Sequence, residues 1–135
     1  MTAIVIDTSA IIAILRDEAE KDHFVDVILA ASPRLMSAVS LQEAGMVTAG
    51  RFGDGAAWEP LDALLARLEV EIVAHDKNLA RVAREAFLRF GKGRHPAGLN
   101  FGDCAAYALA AVNKLPLLFK GADFGKSDVV AADRT

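Results

Sequence analysis

The stretch IVIDTSAII, residues 4–12, is a run of aliphatic side chains broken by one carboxylate and two hydroxyls, Asp7, Thr8 and Ser9. Residues 3–6, AIVI, are continuously apolar and rich in β-branched side chains, the pattern of a strand buried on both faces of a parallel sheet. A charge at the end of such a strand has two readings. Asp7 or Ser9 can cap a helix running from about Ala10 to Arg16, because their oxygens accept hydrogen bonds from the free N–H groups of a first turn. Alternatively, Asp7 belongs to a site, provided that other acids reach the same place.

Outward from this stretch, helices and strands alternate. Residues 20–31 place Phe24, Val25, Ile28 and Leu29 on one helical face, and RLMSAV, residues 34–39, returns to strand character. Ser40 and Glu43 have the spacing of a capping box opening a helix over residues 41–52, and Gly-Asp-Gly at 53–55 breaks the chain before helical spacing resumes at residues 58–68. VEIVA, residues 70–74, reads as a third strand, and Asp76 is placed to cap a helix over residues 77–90. Glycines 91, 93 and 98 mark a loop, and Asn100 can cap a helix over residues 101–114 that is rich in small side chains. PLLF, residues 116–119, is a fourth strand, and VVA at 129–131 a short fifth. Right-handed crossovers dominate such connections, so the pattern predicts an α/β sandwich around a mostly parallel sheet of four to five strands.

Composition bounds the rest. With 53% hydrophobic and 24% charged residues in 135, the chain has material for one packed core, and one domain over residues 1–135 is expected. No apolar run has membrane-spanning length and the N-terminus lacks signal-peptide character, so a cytoplasmic protein without membrane association is expected. Cys104 is the one cysteine, which excludes an internal disulfide and a thiolate cluster. A net charge of −3 argues against coating nucleic acid through overall charge but leaves local basic patches open. The densest is RFGKGRH, residues 89–95, which also reads as a helix end followed by a solvated loop.

In a parallel α/β sheet, sites form beyond the carboxyl ends of the strands. Asp7 directly follows the first strand, and Glu43 falls in the first turn of the helix after the second. Asp103 opens the helix leading into the fourth strand, and Asp123 comes just past that strand. Each has a local explanation, Glu43 and Asp103 as N3 residues serving their own helices. Jointly those explanations weaken, because carboxylates about 4 Å apart repel by about 4 kcal/mol per pair at an effective dielectric near 20. A cation would relieve that repulsion. All-oxygen donors suit Mg²⁺ or Mn²⁺, which activate water and stabilise the departing oxygen in displacements at phosphorus. No G-x-S-x-G nucleophile motif is present, and Cys104 falls inside the small-residue helix.

Four ordered motifs, VIDTSAIIAIL (5–15), SAVSLQEAGMV (37–47), NFGDCAAYALA (100–110) and LPLLFKGADFGKSDV (115–129), together resemble the PIN-domain ribonucleases, and among them the VapC toxins of bacterial toxin–antitoxin pairs. The likeness runs from about residue 3 to residue 131. It implies a three-layer α/β/α domain and a Mg²⁺- or Mn²⁺-dependent endoribonuclease acting on structured cellular RNA such as tRNA or rRNA. It also implies inhibition by a VapB-like antitoxin, and homodimerisation. The family's catalytic and metal-binding acids match Asp7, Glu43, Asp103 and Asp123, and its supporting hydroxyl matches Ser9, with Thr8 beside it. Many relatives carry a further polar or acidic residue just before the last acid, where this sequence has Ala122; Asp128 could supply a carboxylate instead. Lys92, Arg94 and Lys120 are candidate phosphate contacts by charge and loop placement.

Rival readings differ at named residues. A haloacid dehalogenase-type phosphatase needs a second acid where Ser9 stands, and a response-regulator receiver needs an acidic pair that AIVIDTS lacks. A flap nuclease carries extra DNA-threading elements for which 135 residues leave little room. A catalytically silent PIN-like module that binds RNA or protein is expected to have lost an acid, whereas all four are present.

Overall fold

The computed structural model describes residues 1–52 and 58–133. The expected Gly-Asp-Gly break at 53–55 lies outside them. In chain order the elements are β1 (Ile4–Ile6), α1 (Thr8–Leu15), α2 (Lys21–Leu29), β2 (Arg34–Ser37), α3 (Ala38–Phe52), α4 (Trp58–Arg67), β3 (Glu71–Val73), α5 (Lys77–Phe90), α6 (Phe101–Asn113) and β4 (Leu117–Leu118), followed by a 3-10 turn at Phe124–Lys126.

The four strands form one parallel sheet in the order β3-β2-β1-β4. Val5 stands opposite both Leu35 and Leu117, so β1 is paired on each side. Its alternation divides the interior. Ile4 and Ile6 join Ile11, Phe24, Ile28 and Leu61 under α1, α2 and α4. Val5 joins Leu79, Phe90, Leu99, Tyr107 and Leu109 under α5 and α6 on the other face. A strand with apolar side chains on both faces therefore produces the three-layer α/β/α arrangement. The chain winds from β1 out to β3 and then returns to the far side of β1, so the topology reverses between β1 and β4, the place where open α/β sheets hold their sites. Among the described residues no helix is long and apolar enough to cross a membrane.

Three local expectations change. α1 starts at Thr8, two residues earlier than the apolar spacing suggests, because Asp7 itself is the N-cap and accepts from the Ser9 N–H. The capping box at Ser40 and Glu43 does not form. The Ser37 hydroxyl accepts from the Val39 N–H at 3.1 Å, so α3 begins at Ala38, and the buried Ser40 hydroxyl has no partner. Glu43 thereby moves into the second turn and is released from its own helix. The expected fifth strand reduces to a single bridge, Leu117 to Ala131, because β4 is only two residues long and the segment beside it meets it at one residue.

The helices after β3 follow their expected caps. Asp76 accepts from the Leu79 N–H at 2.9 Å, and Asn100 and Asp103 form a reciprocal capping box that opens α6.

Candidate active site

The carboxyl end of β1 fixes the centre of the site. The Asp7 N–H donates to the Leu118 carbonyl at 2.9 Å, so pairing with β4 continues to the last residue before α1. The Asp7 side chain is 3% exposed. Its Oδ2 accepts from the Ser9 N–H at 3.0 Å and from the Ser9 hydroxyl at 2.6 Å. Its Oδ1 is buried and has no hydrogen-bond partner. The two readings of Asp7 are thus not exclusive: one oxygen caps the helix while the other is left open, and a buried unpaired acceptor is costly unless something meets it.

Asp7 lies in a cavity of about 420 Å³ whose walls include Ser9, Arg16, Glu18, Glu43, Asp103 and Lys120. Burial pushes the Asp7 carboxyl up to about 6, against the lowering effect of the Ser9 hydrogen bonds and with added repulsion from Asp103 and Glu43. Asp103 is also raised, first by burial and then by Glu43 and Asp123, although its hydrogen bond from the Asn100 N–H opposes the shift. The four acids singled out from sequence therefore share one electrostatic field. Asp123 is its outermost member, an exposed residue at the start of the 3-10 turn whose side chain caps nothing.

Glu43 reaches this field over Gly102. A methyl group at Gly102 would stand 2.6 Å from Glu43 Oε2 and 2.7 Å from Oε1, closer than real contacts allow. The missing side chain is what admits the carboxylate against the first turn of α6, where backbone N–H dipoles favour negative charge. Glycine in a helix costs about 1 kcal/mol relative to alanine. A glycine in the first turn of a helix otherwise rich in alanine is the sequence signal that points to Gly102.

The supporting residues divide by what they touch. Ser9 orients Asp7 and is itself held, since its hydroxyl accepts from the Lys120 N–H at 2.9 Å. Thr8 does not bear on Asp7; its buried hydroxyl donates to the Ser40 carbonyl at 3.0 Å and ties α1 to α3. Lys120 stands at the cavity, but its ammonium lies 3.0 Å from Glu18 and 3.3 Å from Glu20, which hold its pKa above the usual lysine value. Lys92 and Arg94 are exposed on the loop between α5 and α6, and neither lines the cavity. Arg16, at the end of α1, does line it; nothing in the sequence separated it from an ordinary cation at a helix C-terminus. Cys104 is buried and its thiol is pushed up to about 11, first by burial and then by Asp103, so it stays protonated.

Asp128, the alternative carboxylate, is not part of this field. It accepts from the Tyr107 hydroxyl at 2.5 Å and from Arg89 at 3.0 Å, because the chain after the 3-10 turn folds back over α5 and α6. Desolvation raises its carboxyl, but the hydrogen bonds from Tyr107 and Arg89 outweigh that and leave it below the ordinary value. Its stabilising contribution is therefore present above the unfolded carboxylate pKa and lost as pH falls through the folded one. With 52% of the side chain exposed, the contribution is about 1 kcal/mol or less. Asp128→Asn should lower stability by that amount at neutral pH, with the difference closing in acid, and should leave divalent-ion binding unchanged. Thermal unfolding across pH and a metal titration check both parts.

Among the described residues no three carboxylate, imidazole or thiol groups stand close enough to hold an ion as they are. The donor set nevertheless fits a hard cation, with oxygen donors throughout, mutual repulsion to be relieved, and the open Asp7 Oδ1.

A family model described as PIN domain matches residues 4–129. The chain is 48% identical over 127 residues to a protein named Ribonuclease VapC from Mycolicibacterium smegmatis, covering 94% of this chain and 98% of the relative. Two solved structures share the fold. Mycobacterium tuberculosis VapC20, described as a sarcin-ricin loop cleaving toxin, has a TM-score of 0.73 at 20% identity, covering 94% of this chain and 96% of that one. Rickettsia felis VapBC2, bound to a DNA fragment from its promoter, has a TM-score of 0.75 at 13% identity, covering 96% and 97%.

Proposed function

This chain belongs to the PIN domain family, and from that premise we infer that it is a VapC-type toxin, an endoribonuclease that hydrolyses phosphodiester bonds in cellular RNA. The finer reading is a Mg²⁺- or Mn²⁺-dependent enzyme of the cytoplasm that cuts structured RNA such as tRNA or rRNA. A VapB-like antitoxin would neutralise it, as the VapBC pairing of a fold relative suggests, and it would work as a homodimer. The observation that carries the reading is the Asp7 carboxylate, buried at the floor of the acid-lined cavity with one oxygen fixed by Ser9 and the other unpaired.

Asp7, Asp103 and Glu43 would hold the ion, with Asp123 reaching it from the rim. Mg²⁺ keeps several waters when bound, so Glu43 and Asp103 need not all touch it directly. When bound, such an ion supplies Lewis acidity at a phosphoryl oxygen and a nucleophile near neutral pH. The chain's own residues do the rest. Ser9 fixes the Asp7 rotamer through two hydrogen bonds, and the Asn100 N–H fixes one oxygen of Asp103. Gly102 gives Glu43 its place, and α1 and α6 exclude water from the cavity floor. A silent binding module would have no use for an unpaired buried carboxylate oxygen, whose desolvation destabilises the fold.

The test is cleavage of total cellular RNA by the purified protein with Mg²⁺, Mn²⁺ or chelator. Discrete metal-dependent fragments that vanish in a folded Asp103→Asn variant support the reading; no cleavage with either metal sinks it. Proton competition gives a second check. Because Asp7 titrates near pH about 6 without metal and must be ionised to bind it, Mn²⁺ affinity should be flat above neutral pH and fall towards tenfold per unit below about 6. Calorimetric titration on either side of that value measures it.

A further inference from the structure

Two cations, Arg16 and Lys120, line the cavity of Asp7, Glu43 and Asp103. Lys120 is committed. Its ammonium is paired to Glu18 and Glu20, and its backbone N–H is bound to Ser9. Swinging it to a substrate would break two ion pairs and leave two glutamates uncompensated beside an already acidic cavity. Arg16 is different: among the described residues it has no carboxylate within ion-pair distance. Its backbone is nevertheless fixed, since its N–H donates to the Ile12 carbonyl at 2.9 Å and closes the last turn of α1. The cavity thus presents one uncommitted guanidinium on a rigid base.

Resting on the ribonuclease reading, we propose that Arg16 is the substrate-binding cation of this cavity and holds an RNA phosphate next to the one that is cut. A helix rises about 1.5 Å per residue, so Arg16 stands about 12 Å along the axis from Thr8, a separation that suits a neighbouring phosphate better than the one addressed by Asp7. The planar fork of a guanidinium matches phosphate oxygens in pairs, a geometry that lysine lacks. The field also calls for it: an RNA backbone approaching three carboxylates is repelled until a cation at the rim meets it. Lys92 and Arg94, outside the cavity, do not answer that need.

The experiment compares Arg16→Gln and Arg16→Lys with Arg81→Ala, an exposed cation on α5 that lines no part of the cavity. Binding of a short fluorescein-labelled single-stranded RNA is followed by anisotropy with Mg²⁺ across a salt series, in an Asp103→Asn background that prevents cutting. Steady-state cleavage of the same RNA is measured in the otherwise wild-type chain. Arg16→Gln should weaken binding about tenfold and reduce the slope of log affinity against log salt by about 0.7, the loss of one single-strand phosphate contact. It should raise KM by a similar factor with little change in kcat. Arg16→Lys should keep the slope while losing part of the affinity, and Arg81→Ala should match its parent. If Arg16→Gln keeps both parental slope and KM while the parent binds and cuts RNA, this proposal alone is overturned. A parent that neither binds nor cuts RNA overturns the ribonuclease reading with it.

Discussion

Asp7→Asn should make the metal-free protein more stable by about 3 kcal/mol at neutral pH while abolishing RNA cleavage. The first effect follows from a carboxyl whose pKa rises from 3.8 to about 6 on folding. Each unit of difference is worth about 1.36 kcal/mol. The sign is that of a raised acid: Asp7 imposes no penalty below the unfolded pKa, and the penalty grows to its full value as pH rises through the folded one. The stability gap between variant and wild type should therefore be near zero at about pH 4 and complete by neutrality. For a chain of this length it corresponds to a melting point about 10 °C higher. The asparagine keeps an oxygen for Ser9, so the cap of α1 survives. Activity, by contrast, should fall by more than the roughly hundredfold typical of losing an outer partner of a metal ligand. Thermal melts in chelator at two pH values, set beside a cleavage assay, check both halves. Equal stability at neutral pH would show that the buried oxygen costs the fold nothing.

Gly102→Ala should produce the second large effect, on activity without unfolding. The new methyl would lie 2.6 to 2.8 Å from the two oxygens and Cδ of Glu43. Those atoms are the free end of a flexible side chain, so the carboxylate moves and the backbone does not. Helix propensity favours alanine by up to about 1 kcal/mol, so α6 should be at least as stable. Displacement of a catalytic group by about 1 Å can cost about a hundredfold in rate, and that is the loss expected in cleavage. A double-mutant cycle isolates the cause. In a Glu43→Ala background the same glycine substitution should have almost no further effect, because the group it displaces is gone. An additive loss would place the damage elsewhere in α6.

What could be read from sequence was the local and the periodic. AIVI gave a strand with both faces buried, and that alone implies helices above and below it. Asp76 and Asn100 stood at positions where their side chains had no better use than capping. Ser40 misled because two serines, Ser37 and Ser40, precede the same helix at plausible distances. The S-x-x-E spacing favours the second, but the helix takes the first, since β2 already ends there. The partners of Asp128 and Lys120 lie beyond any local pattern. Asp128 meets residues 21 and 39 positions away, and the Lys120 ammonium meets Glu18, 102 positions away. A basic residue in a glycine-rich loop looks available to a phosphate until the acid that holds it is seen. The grouping of Asp7, Glu43 and Asp103 was inferable because topology puts strand ends and helix starts on one rim. The open oxygen of Asp7 and the vacancy at Gly102 are matters of atoms, which spacing does not report.

The bond from the Lys120 N–H to the Ser9 hydroxyl spans 111 residues, and the bond from the Asp7 N–H to the Leu118 carbonyl is equally long in sequence. The strand bearing the first acid and its neighbour β4 are thus separated by more than a hundred residues of chain. Without that segment β1 has a bare edge on one side and the Ser9 hydroxyl lacks the backbone donor that holds it. The centre of the cavity is completed by β4, so a chain stopped before that strand would carry Asp7, Glu43 and Asp103 without the long-range bonds that fix Asp7 and Ser9.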